Sequence, residues 1–226
     1  NRHRRIGIGV DDRAVLDVGA GADPDGMVVA AHDDSVPDAR LRPDNDVADH
    51  HRAALAREVN AAAATLQELG VVQGDRVLIY LPMIPQAAFF MLACARLGAI
   101  HSVVFGGFAA HNLAQRIDDA QPRVIVSTDA GSRGGRSIAY KPLLDQAIVQ
   151  SSHAPERVLL VNRGLAPMDL TPGRDLEYAP LRARHLDAQV PVVWLESNEP
   201  SYILYTSGTT GNPKGVQRDV GGYAVA

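Results

Sequence analysis

Three short apolar runs, which begin near residues 77, 100 and 123, constrain the fold of this 226-residue chain most strongly. The segments between them carry apolar residues at every third or fourth position, which is the period of a helix packed on one side. Strands that are apolar on both faces and alternate with helices are typical of parallel sheets covered on both sides. The sequence therefore predicts an α/β fold, a doubly wound, mostly parallel sheet with flanking helices.

Glycine and proline positions set the expected boundaries of these elements. A helical stripe from Leu55 to Leu69 ends at Gly70, and a helix that starts at Pro85 ends at Gly98. Residues 164–180 are rich in proline and glycine, and we expect a surface excursion there. The remaining predictions are strands at 77–81, 100–105, 123–127, 158–161, 192–195, 202–206 and 215–218, and helices at 109–119, 142–149 and 181–188.

The run from Tyr205 to Gly215 combines three glycines, four hydroxyl side chains and Lys214 within eleven residues. Glycine lets backbone N–H groups converge, and hydroxyls and an ammonium group add further donors, as a polyphosphate requires. A Walker A loop would place Gly-Lys-Ser/Thr at the start of a helix, and a flexible linker would lack tightly flanking apolar runs. We interpret the run as a nucleotide triphosphate loop between two strands.

A second glycine-rich segment carries Arg133 and Arg136 on either side of Gly134-Gly135. Two guanidinium groups at this spacing can bind one phosphate, and the glycines permit its close approach. The alternative is a solvated basic loop, which is what most arginine pairs form. The residues alone leave both interpretations open.

These motifs, in this order, resemble the adenylate-forming enzymes of the acyl-CoA synthetase, or AMP-binding, superfamily. Within it the chain resembles the short-chain branch, and propionyl-CoA synthetases more closely than acetyl-CoA synthetases. The resemblance covers about residues 53–226 and is carried by 104–109 (Val-Phe-Gly-Gly-Phe-Ala), 129–136 (Asp-Ala-Gly-Ser-Arg-Gly-Gly-Arg), 194–215 and 217–223.

The resemblance implies a ligase that uses ATP, Mg²⁺ and coenzyme A. A short-chain carboxylate, with propionate favoured, would attack the α-phosphate of ATP, and the thiol of coenzyme A would then displace AMP from the acyl-adenylate. Lys214 would act as the catalytic point charge near the β- and γ-phosphates. The other implied ligands of the ATP phosphates are Thr206, Ser207, Gly208, Thr209, Thr210 and Gly211, and those of coenzyme A are Arg133, Gly134 and Arg136.

Composition indicates which classes of binding partner and which cellular location to expect. A formal net charge of −4 and a pI near 6.0 give no indication of nucleic-acid or membrane binding, so small molecules are the expected partners. The single cysteine, Cys94, lies on an apolar helix face and favours a reducing, cytoplasmic location. We assign no metal to the histidines, and we expect Asp118 and Asp119 to be solvated at a helix end.

The first 52 residues differ sharply from the rest of the chain. They contain eleven Asp but no Glu, Lys, Gln, Thr or aromatic residue, so they can bury little, and we expect irregular or disordered structure. We therefore divide the chain into an atypical leader, 1–52, and a partial AMP-binding large domain, 53–226. The leader is either foreign to the ligase sequence, for example out of frame, or a divergent solvated segment.

A Gly-x-Gly pattern at 14–22 resembles the first motif of Rossmann-type methyltransferases, which leaves methyltransferase activity as an alternative. Pro24 interrupts the helix that such a site needs. By resemblance to the ligases, the acyl pocket, the ribose-binding aspartate and a C-terminal domain with a catalytic lysine would follow Ala226. We accordingly expect no acyl-CoA synthesis by this polypeptide alone, and a non-catalytic nucleotide-binding remnant is a further alternative.

Overall fold

The computed structural model describes residues 5–6, 45–104, 106, 108–133, 136–206 and 213–225. The helices of this part are α1 (Asn45–Glu68), α2 (Pro85–Leu97), α3 (Ala110–Ala120), α4 (Tyr140–Gln150), α5 (Tyr178–Arg184) and α6 (Val220–Ala224). Its strands are β1 (Arg5–Ile6), β2 (Arg76–Ile79), β3 (Ile100–Val103), β4 (Val124–Thr128), β5 (Ala130–Arg133), β6 (Arg136–Ala139), β7 (Arg157–Val161), β8 (Asp175–Glu177), β9 (Leu195–Glu196), β10 (Pro200–Thr206) and β11 (Lys214–Asp219).

The main sheet has seven strands in the order β11-β10-β3-β2-β4-β7-β8. All neighbouring pairs from β10 to β8 are parallel, and only the edge pair β10–β11 is antiparallel. The chain adds β3 on one side of β2 and then β4 on the other side. The strand order therefore reverses at β2, as in doubly wound sheets. The predicted fold class is confirmed.

Alternate residues of the central strands face two separate apolar cores. Ile79 packs in the core that α1, α2 and α5 cover, whereas Leu78 and Tyr80 pack in the core that α3 and α4 cover. All three side chains are completely buried. This alternation is the expected consequence of the two-residue period of a strand, and it places helices on both faces of the sheet.

The predicted helix boundaries are confirmed where they depend on glycine or proline. Pro85 occupies the first turn of α2, and Gly98 ends that helix in the left-handed conformation at φ 67°. Gly70 follows α1 at φ 85°. The start of α1 at Asn45 lies well before the apolar stripe, because the sequence from 45 to 52 is mostly polar and gives no periodic signal.

The predicted surface excursion at 164–180 ends earlier than expected. Residues 164–174 are largely exposed, but β8 then joins the edge of the sheet beside β7, and α5 begins at Tyr178. Asp175 on β8 is buried, and its carboxylate lies 2.6 Å from Arg174 Nε and 3.0 Å from Lys141 Nζ. Composition could not indicate this strand, since the buried side chain that anchors it is charged.

The expected strand at 192–195 is shorter and lies outside the main sheet. Its residues run along the end of α2, where the backbone N–H of Val193 donates to the carbonyl of Arg96 at 2.9 Å. Only Leu195 and Glu196 form a strand, and this strand pairs with β1 in antiparallel register. Most of the leader, with its Gly-x-Gly pattern, lies outside the described residues, and the division at residue 52 stays a prediction.

Candidate functional site

The predicted ligand-binding segments meet at one edge of the main sheet. Residues 104–109 follow β3, the segment with Arg133 and Arg136 follows β4, and the phosphate loop follows β10. These three strands are parallel within the order β10-β3-β2-β4, so their carboxyl ends share an edge. At roughly 4.8 Å between strands, β10 and β4 lie about 14 Å apart. Ligands of doubly wound sheets bind at this edge.

The predicted phosphate loop joins two antiparallel strands, as its flanking apolar runs predict. Thr206 at the end of β10 lies opposite Lys214 at the start of β11, and Tyr205 lies opposite Gly215. The predicted phosphate ligands Ser207, Gly208, Thr209, Thr210 and Gly211 lie outside the described residues. The described ends of the loop are therefore paired with each other, which rules out a Walker-type arrangement in which a helix would begin at the lysine.

Lys214 is exposed at the base of this hairpin. Within the described part of the chain, no carboxylate lies within ion-pair distance of its ammonium group. The other lysine, Lys141, is buried and paired with Asp145 and Asp175. The two lysines thus differ: Lys141 belongs to a buried ion-pair cluster, whereas Lys214 presents its charge to solvent at the predicted ligand-binding edge.

The segment with the two arginines is a β-hairpin, which the sequence did not predict. β5 and β6 pair in antiparallel register from Ala130 opposite Ala139 to Arg133 opposite Arg136. The two arginines therefore lie across from each other in the last described pair of the hairpin, a placement that is compatible with binding of one phosphate by both side chains. Their side chains, together with Gly134, lie outside the described residues.

Asp129, at the base of this hairpin, is a buried residue that sequence reasoning did not single out. Its carboxylate accepts hydrogen bonds from the backbone N–H of Leu165 at 2.6 Å, of Ala166 at 3.2 Å and of Arg163 at 3.2 Å. Burial would raise the pKa of this carboxyl, but hydrogen bonds from the backbone N–H groups of Leu165, Ala130 and Ala166 and from the Thr128 hydroxyl lower it, and the net pKa lies below the usual value. An acidic residue directly after the end of a buried strand is the signal that could have indicated this role.

Tyr140 brings two of the predicted segments into contact. Its ring lies against Gly131 of β5, where an added Cβ would meet Tyr140 Cε2 at 2.8 Å. At Gly106, which follows β3, an added Cβ would overlap Tyr140 Oη. The ring is held from below by Tyr80, with 4.7 Å between the ring centroids. Glycine at both positions therefore permits the hairpin and the segment after β3 to pack together.

Tyr205 and Asp119 join helix α3 to the strand that precedes the phosphate loop. Tyr205 Oη donates to Asp119 Oδ2 at 2.6 Å, although Asp119 is otherwise exposed as predicted. Its neighbour Asp118 accepts hydrogen bonds from Ser151 Oγ at 2.6 Å and from the backbone N–H of Ser152 at 2.7 Å. Both carboxylates therefore have structural partners that the sequence did not indicate, because those partners are distant along the chain.

An apolar groove of about 550 Å³ lies beside the β10–β11 hairpin, between α2 and the strands β3 and β10. His101 forms part of its wall, and burial lowers the pKa of its imidazole to about 4, so this ring is neutral near pH 7. The ring stacks on Tyr202 at 5.6 Å between centroids, which fits a structural role. Burial also raises the pKa of the Cys94 thiol above its usual value, so this cysteine is an inert core residue.

Two negative findings concern only the part of the chain that the structure describes. No group of three or more His, Cys, Asp or Glu side chains is close enough together there to hold a metal ion. In the same residues, no helix combines the length and the apolar character needed to cross a membrane.

Comparison with known proteins assigns the family. Residues 39–226 match the family model described as AMP-binding enzyme. The chain belongs to this family. It is 68% identical over 172 residues to the propionate–CoA ligases of Salmonella typhimurium and Escherichia coli K12, and 49% identical over 171 residues to the acetyl-coenzyme A synthetase of Xanthobacter autotrophicus. Each of these alignments covers 76% of this chain.

A solved structure of the AMP-binding family's fold is similar as well. The acetoacetyl-CoA synthetase from Streptomyces lividans superposes with a TM-score of 0.69 at 30% identity, over 77% of this chain and 26% of that chain. The chain likewise spans about a quarter of the length of the curated relatives, 27% for the two propionate–CoA ligases. The family and the fold predicted from the motifs are thus confirmed.

Proposed function

We propose that this chain supplies the phosphate-binding and coenzyme A-binding parts of an ATP-dependent ligase for short-chain carboxylates, with propionate favoured. The observation that carries the proposal is the hairpin β10–β11, which presents the exposed Lys214, without an ion-pair partner among the described residues, where the loop leaves the sheet. The 68% identity to propionate–CoA ligases supports the choice of acid. Acetate is the nearest competitor, since one methylene changes binding by only about 1–3 kcal/mol.

In the proposed first step, a carboxylate oxygen attacks the α-phosphorus of ATP and pyrophosphate leaves. Negative charge gathers on the leaving pyrophosphate, and donors already in place stabilise it without reorganisation. We assign this task to the ammonium group of Lys214 and to the hydroxyls of Thr206, Ser207, Thr209 and Thr210. Gly208 and Gly211 would let the backbone N–H groups approach the same oxygens.

In the proposed second step, the thiol sulfur of coenzyme A attacks the acyl carbon and AMP leaves as the mixed anhydride bond breaks. Arg133 and Arg136 would bind the 3′-phosphate of coenzyme A, with Gly134 permitting close approach. Their cross-strand placement at the tip of β5–β6 supports this assignment. The contact of Tyr140 with Gly106 and Gly131 supports a joint site, because it packs this hairpin on the segment after β3.

Mg²⁺ enters the proposal as the partner of ATP. A magnesium ion at a triphosphate keeps several waters and needs one or two protein carboxylates at most, so it requires no preformed cage. Its contribution would be to neutralise charge on the β- and γ-phosphates. Small molecules are thus the proposed partners, and a cytoplasmic location remains part of the proposal on the strength of the single, buried cysteine.

Titration of the chain with MgATP tests the proposed phosphate site directly. We expect saturable binding, and Lys214→Ala should weaken it about tenfold or more, because a hydrogen bond to a charged group contributes about 1.5–3 kcal/mol. Arg218→Ala is the matched control, since Arg218 is an equally exposed cation farther along β11. Equal weakening by both variants would indicate nonspecific attraction and would contradict the assignment of Lys214.

Isotope exchange between pyrophosphate and ATP tests the chemistry separately. The matched relatives are almost four times as long as the aligned region, so we propose that the complete reaction needs the rest of such a ligase. We expect MgATP binding without propionate-dependent exchange by the 226-residue polypeptide. Robust exchange would show that these residues suffice for adenylation and would overturn that part of the proposal.

A further inference from the structure

Arg116 on α3 occupies an unusual position for a cationic side chain. The residue is only 7% exposed, and its guanidinium carbon lies 4.2 Å from the ring centroid of Phe108 and 5.2 Å from that of Tyr205. Phe108 belongs to the segment after β3, whereas Tyr205 belongs to β10. One guanidinium therefore links two segments of the predicted ligand-binding edge that are far apart in sequence.

The polar contacts of Arg116 and its neighbour on α3 fix this arrangement further. Arg116 Nη1 donates to the carbonyl of Asn112 at 2.6 Å, which orients the plane of the guanidinium. Asp119, one turn later on α3, accepts the hydrogen bond of Tyr205 Oη at 2.6 Å. Helix α3 thus holds Tyr205 at two points, the ring through Arg116 and the hydroxyl through Asp119.

The second strand of the hairpin is adapted to the same contacts. Gly215 lies directly across the ladder from Tyr205. An added Cβ at this position would meet Asp119 Oδ2 at 2.8 Å and Tyr205 Cε1 at 3.2 Å. The absence of a side chain at 215 therefore lets the Asp119 carboxylate reach over β11, and the contacts of α3 extend to both strands at the base of the loop.

The environment of Arg116 favours a planar, delocalised cation. Burial lowers the pKa of its guanidinium, an effect that the nearby Tyr205 partly offsets. Among the described carboxylates, none forms an ion pair with it, so its charge is met by two aromatic faces and one carbonyl. Lysine cannot reproduce this arrangement fully, since an ammonium group can make a cation–π contact but has no planar face with a fixed orientation to lie against two rings.

We propose that Arg116 is a positioning residue, which fixes Tyr205 against α3 and so sets the base of the β10–β11 hairpin for phosphate binding. This inference rests on the proposed function, because it assigns a purpose to a residue that lies beside the phosphate loop without belonging to it. Tyr205 directly precedes Thr206, and Gly215 directly follows Lys214. A shift of this base therefore moves both ends of the loop.

Hydrogen–deuterium exchange in Arg116→Lys, with MgATP titration of the same variant, tests the proposal. We expect exchange of the β10 and β11 amides to rise about tenfold with no change in β2 and β4, and MgATP affinity to fall about fivefold. Arg76→Lys is the matched control, since Arg76 Nε also donates to a backbone carbonyl, that of Ala120 at 2.9 Å, at the start of the central strand β2. This control should leave β10–β11 exchange unchanged.

The outcomes separate the positioning role from general stability and from the proposed function. Unchanged exchange in β10–β11, or an equal rise across the whole sheet, would overturn the positioning role. If the unmodified chain binds no MgATP, the proposed phosphate site fails, and the exchange pattern alone then decides the role of Arg116.

Tyr205→Phe provides a second test in case Arg116→Lys does not fold. It removes only the hydroxyl donor, and it should raise β10–β11 exchange as Asp119→Ala does. Asp119→Asn keeps an acceptor oxygen for Tyr205 Oη and should restore protection. Equal exchange in Asp119→Ala and Asp119→Asn would contradict the proposed contact.

Discussion

The hairpin β5–β6 begins directly after the central strand β4, whereas β10 and β11 are the two outermost strands on one side of the same sheet. The first is anchored from inside: Asp129 at its base is completely buried, and so is Ala130. The second is anchored from one side: every residue of β11 is exposed, and its base is held by contacts with α3. Both hairpins present predicted phosphate ligands at the same edge of the sheet.

The two kinds of anchor indicate which part of the candidate site is more rigid. Water cannot replace a buried carboxylate that accepts several backbone hydrogen bonds, so its removal lowers the free energy of unfolding strongly. Water can replace an exposed hydrogen bond such as that between Tyr205 and Asp119, so its removal has a small and local effect on the free energy of unfolding. The base of β5–β6 should therefore tolerate small changes and unfold cooperatively, whereas the base of β10–β11 should open gradually and locally.

The largest expected effect is the loss of Asp129. In Asp129→Ala the N–H groups of Leu165, Ala166 and Arg163 lose their acceptor, and we expect a loss of about 3 kcal/mol in unfolding free energy. Urea unfolding followed by circular dichroism measures it.

Asp119→Ala is the matched control at the other hairpin and should cost about 1 kcal/mol or less. If both variants lost the same stability, the proposed contrast between an internal and a one-sided anchor would be wrong.

Alanine at the two hairpin glycines gives an intermediate effect that sharpens the same contrast. At Gly131 the new Cβ meets the ring of Tyr140, which is buried and packed on Tyr80, so we expect a loss of about 1–3 kcal/mol. At Gly215 it meets the carboxylate of Asp119, which is exposed and can swing away. We expect Gly215→Ala to cost less than about 1 kcal/mol in thermal or urea unfolding, and a reversed order would count against this account.

The fold was predictable from the sequence because its central elements obey simple periodicities. Continuous apolar runs gave β2, β3 and β4, and Pro85 and Gly98 bounded α2. The phosphate loop was likewise placed between two strands, since its flanking runs are apolar. These features depend on residues near each other in the chain, so local pattern is enough to find them.

The anchors of the site were not predictable, because each depends on partners distant in sequence. Asp129 is hydrogen-bonded to residues 163, 165 and 166, and Tyr205 is hydrogen-bonded to Asp119. Strand β8 was missed since the buried side chain that holds it, Asp175, is charged and is matched by Lys141. Buried polar residues with remote partners leave no periodic signal, and three-dimensional contacts are needed to find them.

The smallest expected effect is a pH dependence of the internal anchor. The pKa of Asp129 lies below its ordinary value of 3.8 in the folded chain, so its carboxylate stabilises the fold at pH values above the unfolded pKa. That contribution disappears as the pH falls through the lower, folded pKa. In Asp129→Asn this titration is absent, so the stability gap to the unmodified chain should be constant from pH 7 to 5 and shrink below pH 3.8. Urea midpoints at pH 7, 5, 4 and 3 measure the gap, and a gap that stays constant to pH 3 would show that the charge of Asp129 does not anchor β5–β6.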